Sequence, residues 1–261
     1  MREESKVNSK IGEIRLMKCG EECEIVEHAS HKDMVVKFLK TGELVKCRYE
    51  HFKRGLIKSH FTPTVFGVGV TGLENARDNN RNIIKSYEVW QHILERCYNK
   101  KCQEKRPSYK DCVVCEEWLY YPKFKQWYEK NYYEIEGQRM ELDKDILNKG
   151  NKVYSPDTCV FVPKSINSLF TRCNRSRGNL PIGVHWHKQK KKYQAKCSIF
   201  DITIGRSKVK HLGYHNTPEE TFQSYKKAKE DNIKQVADHY KDKIPKKLYK
   251  AMYSYEVHID D

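Results

Sequence analysis

Alternation of apolar and polar residues near the carboxyl end constrains this chain more than any other feature. The run Tyr193-Gln194-Ala195-Lys196-Cys197-Ser198-Ile199 changes character at every step, which is the period of a strand with one buried face. Before it stand Ile182-Gly183-Val184-His185-Trp186-His187 and a lysine-rich turn; after it comes Lys208-Val209-Lys210-His211-Leu212-Gly213-Tyr214. Thr217 as N-cap, Pro218 in the first turn and Glu220 completing a capping box then announce a helix. Phe222, Tyr225, Ala228, Lys229, Asn232, Val236 and Tyr240 recur at helical spacing behind that start. The order predicts three short strands followed by one amphipathic helix. Between His185 and Gly213 there are eight Lys/Arg and one acid, Asp201. A small basic sheet backed by a helix suits the surface of duplex DNA.

The chain's formal net charge of +15 is spread along its 261 residues, so a polyanion is the expected partner. Charged content is high and apolar content modest, which favours several small cores over one large one. Seventeen tyrosines argue for a folded chain. Nothing approaches the ~18 apolar residues that a membrane span requires, and Met1-Arg2-Glu3-Glu4-Ser5-Lys6 lacks a signal-like apolar stretch. Cytoplasm is therefore the expected compartment, no membrane association is expected, and the ten cysteines should be thiols or metal ligands.

The expected fold class is α+β with several domains. Residues 1–72 read as a small β module, in which Met34–Leu39 and Leu44–Tyr49 pair around a turn at Thr41-Gly42-Glu43. Residues 73–82 read as a linker. In residues 83–172, Tyr87, Trp90, Ile93, Leu94 and Cys97 predict one helix face, while Trp118, Phe124, Trp127 and Tyr128 mark a second helical stretch. Such rings belong more readily to a core than to a stacking platform. A strand over Met140–Ile146, a loop at Asn148–Asn151, a strand at Val160–Val162 and a helix from Pro163 to Phe170 follow. Residues 173–180 form a basic, turn-rich connector, and 181–261 hold the sheet, its helix and a short helical tail.

Over about residues 181–230 the chain resembles the AP2 DNA-binding domain. The marks are Gly183-Val184, Tyr193-Gln194-Ala195, Leu212-Gly213, and Thr217 with Glu219 and Glu220. The resemblance implies a sheet lying in the major groove with the helix behind it. Carried over by position, the DNA-facing set is His185, His187, Lys196, Ser198 and His211, with Lys188, Lys190, Lys191 and Lys192 on phosphates. Histidines here replace the arginines and tryptophans usual in that family, and histidine lacks the fork that reads guanine.

A second resemblance runs through Leu142-Asp143-Lys144-Asp145-Ile146, Asn148, Gly150-Asn151, Ser155-Pro156-Asp157-Thr158-Cys159 and Ile166-Asn167. These residues look like HNH-type endonuclease segments. Joined to an AP2 domain, they make the chain resemble the homing-type endonucleases of phages and mobile elements. The resemblance implies a ββα-type segment holding one divalent ion, Mg²⁺ or Mn²⁺, on a scissile phosphate. Asp143 and Asp145 are its candidate metal and catalytic residues, with Asn151 and Asn167 fixing the loop and orienting the metal. The family's general-base histidine would fall at or beside Lys144, yet no histidine lies between His92 and His185. A lysine ordinarily carries its proton near neutral pH and cannot accept another. Three readings stay open: metal-bound water ionising without histidine, a histidine supplied by another segment, or a relic that only binds DNA. Ion pairing with neighbouring lysines is the alternative use of the two aspartates.

Cys97, Cys102, Cys112 and Cys115 have the C-x4-C-x9-C-x2-C spacing of a candidate structural zinc set, with buried thiols as the alternative. Cys19 and Cys23 lack a second pair nearby and read as thiols. The function expected is binding of double-stranded DNA with metal-dependent hydrolysis of its phosphodiesters. The alternative is a non-catalytic DNA-binding regulator carrying a degenerate nuclease segment. No small-molecule substrate is expected. RNA binding is disfavoured because the sheet lacks an obvious set of exposed stacking aromatics.

Overall fold

The computed structural model describes residues 10–171, 179–259 and 261. Helices and several small sheets make it an α+β chain, and it divides between Lys130 and Asn131 into two compact units. That division falls inside the stretch expected as one segment over 83–172. The expected connector at 173–180 lies mostly outside the described residues.

In the first unit, β1 (Ile14–Leu16), β2 (Glu22–Ser30), β3 (Asp33–Phe38) and β4 (Leu44–Cys47) form an antiparallel meander in that spatial order. Met34, Val36 and Phe38 alternate into its core beside Cys23 and Ile25. Phe52 on α1 (Tyr49–Lys53) closes that core. The expected β3–β4 hairpin is present, but the strand reaches only Cys47 because Tyr49 begins a helical turn. Farther on, α2 (Lys85–Tyr98) buries Trp90, Ile93, Leu94 and Cys97 along one face. A short α3 (Lys100–Lys105) and β5 (Val113–Val114) lead to α4 (Tyr121–Asn131), which buries Phe124 and Tyr128. Trp90, Trp118, Phe124 and Tyr128 are buried and so serve as core, and Trp90 Nε1 donates to the Trp118 carbonyl at 2.7 Å.

The second unit opens with β6 (Met140–Asp143), β7 (Val153–Tyr154) and β8 (Val160–Pro163). β6 and β8 pair antiparallel, with Asp143 opposite Val160, and α5 (Lys164–Asn167) leaves β8 directly. β9 (Val184–His187), β10 (Lys192–Asp201) and β11 (Arg206–His215) form an antiparallel sheet in the order β11-β10-β9. Behind it run α6 (Pro218–Tyr240) and then α7 (Lys246–Tyr253). Thr217 Oγ1 accepts the Glu220 amide at 3.2 Å, and Glu220 Oε2 accepts the Asn216 amide at 3.3 Å, so the start signal forms its reciprocal cap.

Helix α6 serves two cores. Phe222 and Tyr225 pack under the sheet against Val184 and Cys197. Ile233, Val236, Ala237 and Tyr240 pack with Ile146, Val160, Val162 and Ile166 from the β6–β8–α5 region. Between the two lies Asn232, only 1% exposed. Its side chain accepts the Phe200 amide at 3.1 Å and donates to the Phe200 carbonyl at 3.2 Å. A polar residue thus continues the buried stripe because β10 has no strand partner on that edge at Phe200.

Gly183 explains the tight approach of sheet and helix. Its φ is +77°, and a Cβ there would stand 2.0 Å from the Tyr225 ring. Only glycine satisfies both demands.

Candidate functional site

The outer face of the β9–β10–β11 sheet is built by register. Lys192 pairs with His187 and Gln194 with His185; Lys196 pairs with His211 and Ser198 with Val209. Directly paired residues share a face. Ala195 and Cys197, one step out of phase, are buried. Lys188, Lys190 and Lys191 lie exposed in the β9–β10 connection, where Lys191 adopts φ +49°. All nine residues expected to contact DNA therefore gather on one face and its adjoining turn.

A residue absent from that expectation sits at the centre. The register slips between Ala195 and Lys196, so Leu212 is an extra residue on β11. Strict alternation from His211 would turn Tyr214 inward. The bulge instead sends Leu212 to the helix side and Tyr214 to the outer face. There Tyr214 meets the ring of His187 edge-on at 5.2 Å and the ring of His211 at 4.6 Å. The Lys190 ammonium lies 3.9 Å from its ring centre, and Gln194 Nε2 donates to its hydroxyl at 3.2 Å. Gly213 beside Leu212 was the available signal, since a glycine inside a strand often marks a bulge. Desolvation of its ring, and then the Lys196 ammonium, hold His185 below the usual imidazole range. His215 belongs to the opposite side, where Nε2 pairs with Ser224 Oγ at 2.9 Å.

The acidic site forms at the end of β6. The strand expected through Ile146 stops at Asp143, so a shared strand face cannot align Asp143 with Asp145. A tight turn brings them together. Asp143 Oδ1 accepts the backbone amides of Asp145 at 2.9 Å and Ile146 at 2.7 Å. Burial, and then the neighbouring charge of Asp145, push the Asp143 carboxyl up to about 6.

Lys144, buried at this position, aims Nζ at the Asn151 carbonyl (2.9 Å) and stands 3.4 Å from Asp145 Oδ2. Asn151 uses its whole amide to fasten the loop: Nδ2 donates to the carbonyls of Lys144 and Val153, each at 2.7 Å, and Oδ1 accepts the Val153 amide at 3.3 Å. Asn167 Nδ2 donates to Glu141 Oε2 at 2.7 Å. Glu141 lies two residues before Asp143 on β6, a spacing that puts both on one strand face; that neighbour was not among the expected site residues.

The donor chemistry of Asp143 and Asp145 fits a divalent cation. Two carboxylates in mutual repulsion, one of them desolvated, are relieved by a positive ion. Mg²⁺ commonly takes only one or two protein carboxylates and fills its shell with water and phosphate oxygens. Among the described residues no group of three His, Cys, Asp or Glu side chains stands placed to hold a metal, so no histidine completes such a group with this pair.

The same observation bears on the four cysteines, which the structure does not assemble into a zinc cage among the described residues. Cys97 and Cys112 are buried, while Cys102 and Cys115 are half-buried. Cys112 Sγ donates to the Ser108 carbonyl at 3.8 Å, and burial pushes the Cys115 thiol up. In the first unit, burial likewise raises Cys23 to about 12 and Cys47 to about 11. No helix of the described residues is long and apolar enough to cross a membrane.

Compared with known protein families, curated proteins and solved structures, the chain matches no family model, no curated protein and no solved structure.

Proposed function

We propose that this protein binds double-stranded DNA through the outer face of the β9–β10–β11 sheet and hydrolyses a phosphodiester at Asp143 and Asp145. The observation that carries the reading is the two-sidedness of the sheet. One side packs Val184 and Cys197 on α6, while the other exposes His185, Lys192, Lys196, Ser198 and His211 beside a lysine-rich turn. Lysines at the turn suit phosphates, which fix position, and the strand residues suit base edges. The resemblances to AP2 domains and HNH segments support the same division of labour.

For hydrolysis, Asp143 and Asp145 would hold a divalent ion. When bound, such an ion stabilises charge on the phosphate and makes water easier to ionise. The chain's own residues do the rest of the positioning. The two backbone amides on Asp143 Oδ1 fix that carboxylate's orientation. Asn151 anchors the loop, and the Lys144 ammonium supplies fixed positive charge beside Asp145.

The test is nicking of plasmid DNA by the full chain in Mg²⁺ or Mn²⁺, with and without chelator. Chelator-sensitive nicking that disappears in Asp143→Ala supports the reading, and nicking unchanged in both Asp143→Ala and Asp145→Ala rejects this site. One observation favours a second reading, a non-catalytic DNA-binding regulator: at or beside the place where the HNH resemblance would put a general base stands Lys144, which commits its ammonium to the Asn151 carbonyl. Tight duplex binding without any cleavage decides for it.

A further inference from the structure

β9 pairs with β10 only over Lys192–Ala195. From Lys196 to Asp201, β10 pairs with β11 alone, so the distal part of the hairpin is a two-stranded ribbon with β11 on the sheet's outer edge. Every residue from Arg206 to His211 is exposed, whereas a strand with one covered face hides alternate residues. Val209 is 72% exposed, and no other large apolar side chain among the described residues exceeds it. Its neighbours on β11 include Arg206, Lys208 and Lys210. Its cross-strand partner is Ser198, and the adjacent pair is Lys196 with His211. Asp201, the one acid between His185 and Gly213, accepts from the Thr203 hydroxyl at 2.6 Å and lies 3.8 Å from the Lys208 ammonium. An aliphatic side chain is thus held in water beside Ser198, with Lys196 and His211 on its own face and Arg206, Lys208 and Lys210 on the ribbon's other face.

We infer that this ribbon is the sequence-reading element of the DNA interface, with Val209 packing against the 5-methyl group of a thymine in the major groove. The inference rests on the DNA-binding reading above and adds residues to it. The major groove admits a two-stranded β-ribbon, and the thymine methyl is the apolar mark on its base edges. Charge complementarity commits the ribbon to a polyanion: Lys196 stands on the face of Val209, Arg206, Lys208 and Lys210 stand on the reverse, and Asp201 is the one acid among them, leaving Val209 and Ser198 for the base edges. An acidic peptide added along the β11 edge is the competing occupant. It would be held by main-chain hydrogen bonds and would be indifferent to a single DNA methyl group.

The test uses the full-length protein and a duplex it has selected from a random library. Each thymine of that duplex is replaced singly by deoxyuridine, which removes only the methyl group. At one thymine the replacement should weaken wild-type affinity about fourfold, the worth of burying one methyl-sized group. Val209→Ala should bind the two duplexes equally while keeping its unfolding midpoint, because the side chain is exposed. Tight wild-type binding that is insensitive to deoxyuridine at every thymine overturns the inference and leaves DNA binding standing. A deoxyuridine penalty undiminished in Val209→Ala does the same. Absence of any duplex affinity removes the DNA reading, and this inference with it.

Discussion

Lys144 and Asn151 hold each other twice. The Lys144 ammonium donates to the Asn151 carbonyl at 2.9 Å, and Asn151 Nδ2 donates to the Lys144 carbonyl at 2.7 Å. The Lys144 side chain is thereby part of the clasp that closes the loop after β6. Asn151→Ala removes that side-chain bond and two more to Val153. With each such bond worth roughly 1 kcal/mol, unfolding in urea should show a loss of about 2–3 kcal/mol. A loss below ~0.5 kcal/mol means the loop is fastened elsewhere.

Asp143 should make stability fall with rising pH. Its folded value of about 6 lies above the ordinary 3.8, so between those values the native state keeps a proton that the unfolded chain has released. The stabilising contribution is complete below pH ~4 and is lost as pH rises through ~6. Asp143→Asn keeps an oxygen for the Asp145 and Ile146 amides and has no carboxyl to ionise. Denaturation across pH 4–7 should show a flatter profile for the variant, with an advantage on the order of 2 kcal/mol at pH 7. Parallel profiles exclude Asp143 as the source of the slope.

Gly183→Ala should destabilise the sheet–helix packing. The new Cβ meets the Tyr225 ring at 2.0 Å and the backbone sits at φ +77°, so both overpacking and strain act, together costing about 2 kcal/mol or more. Pairing the change with Tyr225→Ala removes the clash and leaves the strain. Thermal unfolding of the pair of single variants and the double variant should therefore be non-additive; simple additivity argues against the contact.

Neutralising Lys190, Lys191 and Lys192 to glutamine should change the salt dependence of duplex binding more than the fold. Each phosphate contact contributes about 0.9 to the slope of log affinity against log salt, so the slope should shrink by about 3 if all three reach phosphates. An unaltered slope takes these lysines off the interface.

Much of the architecture was legible locally. Met34, Val36 and Phe38 announce β3 by alternation, Trp90, Ile93, Leu94 and Cys97 announce α2 by spacing, and Thr217 with Glu220 announces α6 by its cap. β1 and β2 escaped because charged residues dilute the alternation of Cys23 and Ile25. Only the nearness of Asp143 and Asp145 was legible, and for a different geometric reason than expected: a turn at Asp143, and not the pleat of a strand, brings the two side chains together.

What the sequence by itself determined are the features whose cause lies within a few neighbouring residues, namely periodicity, caps, turns and the sign of the charge. The tertiary structure alone decided that Leu212 bulges so that Tyr214 faces outward, that Asn232 pairs with the Phe200 backbone, and that the four cysteines form no metal-holding group among the described residues. Each of these turns on a one-residue shift in register or on partners far apart in the chain. Local pattern carries neither, because a side chain's face and its distant partner are set only when the strands pair and the cores close.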